Sequence, residues 1–143
     1  MLLSFLSFER KALWVNSDRY HINFMLQNDG ENIKPPRGLV LAERHVLKHL
    51  PDTPQMLKLL RENGKAHVFN DRQTLFAVTE ALFEKGAFIG TVRGHERYGM
   101  YFEQSIGYRI DLEGNRLPLY FAEMKIIKGE YHVIPRTKPS EVI

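Results

Sequence analysis

The chain has 143 residues and a mass of 16.7 kDa, the size of one domain. An apolar fraction of 43% and a charged fraction of 26% exclude disorder, collagen and coiled coil as whole-chain descriptions. The absence of cysteine removes disulfide scaffolds, Cys-ligated zinc, iron–sulfur clusters and thiol nucleophiles together. The net charge of +3 is gathered in one place: residues 34–72 carry eight Lys/Arg against four Asp/Glu.

In chain order, residues 1–33 are aromatic and apolar, with strand-like runs at Leu2–Phe8, Leu13–Val15 and Tyr20–Leu26. The alternation of His21, Asn23 and Met25 with Ile22, Phe24 and Leu26 fits a half-buried strand, and Asn28-Asp29-Gly30 is a turn signal. Lys34-Pro35-Pro36-Arg37-Gly38 marks a boundary, so residues 1–37 are expected to be a β-rich extension and residues 38–143 the main domain. Three helices are expected next. Leu39–Leu50 has near-helical apolar spacing at Val40, Leu41, Val46, Leu47 and Leu50. A second helix starts at Thr53-Pro54 and ends at Asn63-Gly64. A third starts after Asn70 or Asp71 and ends before Gly86. Ala66–Phe69 reads as a short extended link. Strands are expected at Phe88–Arg93, Tyr98–Phe102, Gly107–Asp111, Leu117–Ile127 and Tyr131–Ile134, with turns at Gly94, Glu113-Gly114-Asn115 and Lys128-Gly129-Glu130. Helices followed by an antiparallel sheet of four to five strands is an α+β architecture.

No stretch approaches the ~20 apolar residues of a membrane span, and Met1–Phe8 lacks a basic flank or cleavage site. The expectation is a cytoplasmic protein with no membrane partner.

Three polar clusters stand out. In His45-Val46-Leu47-Lys48-His49, a helix would place His45, Lys48 and His49 on one face, as an anion site or an acid/base pair; a solvated helix face gives the same pattern. The His45/His49 pair also has the spacing of a shared metal site, but Val46 stands where the usual signature carries its general base. Gly90–Gly99 sets Arg93, His95, Arg97 and Tyr98 around a strand–turn–strand junction, where guanidinium forks suit phosphate and where a solvated hairpin tip with Arg–Glu pairing would look alike. Tyr131–Thr137 places His132, Arg136 and Thr137 at the end of the last strand. His67 and His21 read as structural. Phosphate loops, dinucleotide fingerprints and nucleophile elbows are absent. The remaining His/Lys/Arg/Tyr/Thr inventory suits metal-free RNA cleavage, in which the 2′-hydroxyl loses a proton and attacks the adjacent phosphate. A non-catalytic RNA- or protein-binding module is the alternative, with Tyr98, Tyr101, Phe102 and Tyr108 available for stacking.

The order of His-x-x-Lys-His, a helical stretch and short strands bearing Arg, Tyr, His and Thr resembles the barnase–EndoU–colicin–RelE superfamily of metal-independent ribonucleases. More narrowly, Ala42–Ser140 looks like an uncharacterised bacterial toxin-like domain, on Ala42–Pro54, Gly90–Asp111 and Tyr131–Pro139. The resemblance implies an endoribonuclease toxin without cofactor or metal, acting on tRNA, rRNA or mRNA, with an antitoxin or immunity protein as partner. Carried over by position, His45 and His49 are base or acid, and Arg93 and His132 complete the catalytic set. Lys48, Arg97, Tyr98, Arg136 and Thr137 bind substrate. Toxin domains of this group often form the tip of a long secreted protein, whereas this chain begins with Met; a stand-alone toxin, a domesticated relative and an excised domain are all compatible with it.

Overall fold

A computed structural model describes residues 38–142 and, before them, the strand residues 15–16 and 19–20. The expected strand at 2–8, most of those at 13–15 and 20–26, the turn at 28–30 and His21 lie outside the described residues. The architecture is α+β. Its elements are β1 (Val15–Asn16), β2 (Arg19–Tyr20), β3 (Val40–Leu41), two 3₁₀ turns (Glu43–His45 and Leu47–His49), α1 (Pro54–Asn63), β4 (Lys65–Phe69), α2 (Arg72–Lys85), β5 (Ala87–Val92), β6 (His95–Phe102), β7 (Gly107–Asp111), β8 (Arg116–Leu119), β9 (Phe121–Ile127) and β10 (Glu130–Arg136).

Local chemistry sets the two helices. Thr53 caps α1, its Oγ1 accepting from Met56 N at 3.0 Å, and Pro54 supplies the first-turn φ. Gly64, at φ 79°, ends α1 in the left-handed conformation. Asp71 caps α2 through Thr74 N at 2.7 Å. Two tight hairpins are just as local: Arg93-Gly94 and Lys128-Gly129 both have positive φ, the two-residue turn that matches strand twist.

The main sheet runs β1-β2-β6-β9-β10-β3, with β5 also on β6. It is mixed rather than antiparallel throughout, because β2 lies parallel to β6 and β3 parallel to β10. The expected link at Ala66–Phe69 is strand β4, which forms a second sheet, β4-β7-β8. The expected strand Leu117–Ile127 is two strands: β8 closes the small sheet, the chain breaks at Tyr120, and β9 enters the large one.

The first expected helix does not form. Val40 N donates to Gly129 O and Ala42 N to Tyr131 O, so this segment first pairs with β10. It then turns through bonds three residues apart, such as His45 N to Ala42 O and His49 N to Val46 O. At three residues per turn, i and i+3 eclipse. His49 therefore falls in line with buried Val46, while Lys48 falls in line with His45.

Strand alternation divides the large sheet into an apolar and a polar face. Met100, Phe102, Ala122, Met124, Ile126, Tyr131 and Val133 meet Leu75, Val78 and Leu82 of α2 in the core. The opposite face carries His132 and Arg136 from β10, Glu123 and Lys125 from β9, and Arg97 from β6. It is on this second face that the candidate chemistry is found.

Candidate active site

Ladder register sets the centre of the site. Arg97 is opposite Lys125, and Lys125 opposite His132, so three basic residues stand in one row across the polar face. The 3₁₀ segment then brings His45 onto His132. Their rings stack, with centroids 4.4 Å apart and planes 30° from parallel. Arg44 fixes that segment to the start of β10 through Glu130, at 2.8 and 3.3 Å.

Burial and mutual repulsion lower the proton affinity of the whole cluster. Partial burial lowers His45, and Lys48, Arg44 and Lys125 lower it further. His132 is pushed down to about 3, by burial first and then by His45, Lys125, His49 and Lys48. Burial also lowers Lys48 and Lys125, with Arg44 adding to the first and Arg97 and Arg136 to the second. The result is a pair of neutral imidazoles in a positive field. An anion bound there would offset the charge part of these shifts and raise the basicity of the imidazoles.

His49 sits behind this pair, only 8% exposed. Its Nδ1–H donates to the His67 carbonyl at 3.0 Å, which leaves Nε2 unprotonated, buried and without a hydrogen-bond partner among the described residues. Burial holds it at about 4. The geometry makes it a brace between the 3₁₀ segment and β4.

The other candidates are placed differently. Arg93 does not reach the cluster: its positive φ is required at the β5–β6 turn, and its exposed side chain lies beyond the last ladder pair, Val92–His95. Tyr98 is on the apolar face, its ring 5.3 Å from Phe88 and its hydroxyl donating to Glu96. Arg97 is 6% exposed and committed to Glu123 at 2.9 Å and to Ser140 at 3.0 Å. Arg136 and Thr137 meet in a different cleft, with Lys65, His67 and Arg109.

Glu123 anchors the segment after β10. It is wholly buried, accepting from Ser140 N at 2.9 Å and Ser140 Oγ at 2.6 Å as well as from Arg97. Burial opposes its ionisation, but the bonds from Ser140 and Arg97 prevail and its pKa falls. Val142 then packs over Gly90 of β5. Residues 138–142 thus cross the polar face from β10 to β5.

Lys125 and Glu123 were not among the sequence candidates. Their signal is a Glu-x-Lys alternation inside an otherwise apolar strand, which becomes informative only with the ladder register. No group of three or more metal-ligating side chains is present among the described residues. No helix among the described residues is long and apolar enough to cross a membrane.

The chain belongs to the family described as domain of unknown function DUF6972, whose model matches residues 37–140. No curated protein and no solved structure matches it.

Proposed function

We propose that this protein is a metal-independent endoribonuclease, of the toxin type, with its active centre at His45 and His132. The observation that carries the reading is their stacked pair, set between Lys48 and Lys125 on the polar sheet face. A neutral imidazole takes the proton of an RNA 2′-hydroxyl. The oxygen attacks the adjacent phosphorus, forming the P–O2′ bond as the P–O5′ bond breaks. Lys48 or Lys125, each with a lowered pKa, donates the proton that the departing 5′-oxygen needs. The remaining positive charge stabilises the phosphorane-like transition state. The products are a 2′,3′-cyclic phosphate and a 5′-hydroxyl.

The test is incubation of the purified protein with total RNA in EDTA. Wild type is expected to leave cyclic phosphate ends, and His45→Ala or His132→Ala to cut the rate by about 10²-fold or more, the usual worth of a positioned acid or base. Expression of wild type, but not of either variant, is expected to arrest bacterial growth. Absence of cleavage by wild type, or equal cleavage by all three proteins, would overturn the reading. Salt-sensitive RNA binding without cleavage would favour the non-catalytic module instead.

A further inference from the structure

Beyond the stacked histidines lies a cleft of about 250 Å³ lined by Lys65, His67, Arg109, Ile134, Pro135, Arg136 and Thr137. Its basic residues come from both sheets. Lys65 and His67 alternate on one face of β4, Arg109 stands opposite His67 in the β4–β7 ladder, and Arg136 enters from β10. No carboxylate among the described residues lines it. Two neighbouring acids are held chiefly by other groups. Asp111, opposite Lys65, accepts from Glu113 N, Asn115 N and Asn115 Nδ2 in the β7–β8 turn. Glu123 is held by Arg97 and Ser140, with Arg136 Nε at 3.8 Å. Neither Lys65 nor Arg109 forms a salt bridge among the described residues.

Of the three cations only Arg136 has a carboxylate within ion-pair reach, so the gathering is self-repulsive and is relieved by an anion. His67 registers the repulsion: burial first, then Arg109, Lys65 and Arg136, hold it at about 4. Two guanidinium forks, an ammonium and the Thr137 hydroxyl offer donors from several directions, which suits a tetrahedral oxyanion. Position supplies the connection to the active centre. His132 and Arg136 project from the same face of β10, four residues and roughly 13 Å apart at ~3.3 Å per residue, so a chain laid along this strand crosses both sites.

We propose that this cleft is a second phosphate subsite, holding a backbone phosphate of an RNA single strand at a distance from the phosphate cleaved at His45 and His132. The choice of RNA rests on the ribonuclease reading; the preference for a phosphate does not.

The test measures binding separately from cleavage. Fluorescent 2′-O-methyl oligonucleotides of two and eight residues, which lack the nucleophile, are titrated by anisotropy at several salt concentrations. The double variant Lys65→Gln/Arg109→Gln is expected to bind the octamer about ten-fold or more weakly. Its salt slope should fall by about 0.7, the share of one phosphate contact on a single strand. Binding of the dinucleotide should be unchanged. In wild type, the octamer should shift the ring resonances of both His67 and His132, a readout independent of how well the variant folds. Octamer binding equal to wild type, or no shift at His67, overturns the subsite. If inorganic phosphate shifts His67 as tightly as the octamer does, the cleft is a free-anion site and the strand proposal fails. If wild type binds through Lys65 and Arg109 but cuts no RNA, the subsite stands and the ribonuclease reading falls.

Discussion

Glu123 has no contact with solvent, yet it carries a charge whose partners are Arg97 and Ser140. Neutralising one side of a buried pair leaves the other charge stranded, at a cost of about 3–5 kcal/mol. Glu123→Gln is therefore expected to lose about that much in urea unfolding. Removing both charges together, as in Arg97→Met/Glu123→Leu, should cost less than Glu123→Gln alone. The histidines make stability depend on pH with a definite sign. His49 and His67 at about 4 and His132 at about 3 all lie below the unfolded value of ~6.5. The unfolded chain thus binds protons that the native chain refuses. Stability is complete above pH ~6.5 and falls as pH drops toward 4, by at most about 1.4 kcal/mol per pH unit for each histidine. Melting between pH 7 and 4.5 should show the loss, and His132→Gln should flatten it. A melting temperature level across that range would contradict the assigned neutral imidazoles.

Among the elements, those whose causes are local were legible in the sequence. Thr53 and Asp71 cap their helices with their own side chains, and Gly94 and Gly129 close their hairpins; all four depend on near neighbours. The segment Leu39–Leu50 was not legible, since its apolar spacing serves a helix and a strand–3₁₀ segment alike. What decides between them is β10, far along the chain. The candidate site divides in the same way. His45, Lys48 and His132 were visible as residue types, but the row from Arg97 through Lys125 to His132 exists only in the register. His49 was misplaced by assuming 3.6 residues per turn. Two glycines separate the corresponding energetic contributions. A Cβ at Gly107 would lie 2.0 Å from the Val68 carbonyl oxygen in the neighbouring strand, so Gly107→Ala should cost about 3 kcal/mol or more. Gly64 has no neighbour within 4 Å, and Gly64→Ala meets only its left-handed backbone, at about 1 kcal/mol. Urea midpoints of the two variants provide the comparison, and equal losses would contradict the β4–β7 register.

At the scale of the whole molecule, two sheets share one continuous run of chain. The run crosses between them at Tyr120, whose carbonyl accepts from Phe102 N while the Leu119 carbonyl accepts from Ile106 N. Two of the four connections between the sheets, β6 to β7 and β8 to β9, are thereby tied at one level. The pairing of β3 with β10 has a kinetic consequence. Arg44 and Glu130 are 86 residues apart in sequence, and His45 meets His132 across a similar span. Contacts this distant close the largest loop and impose the largest entropy cost before they return any energy. The stacked pair is therefore expected to assemble among the last features during folding. A nascent or partly folded chain would carry every residue of the proposed centre and none of its geometry, so that the proposed activity would report completion of the fold.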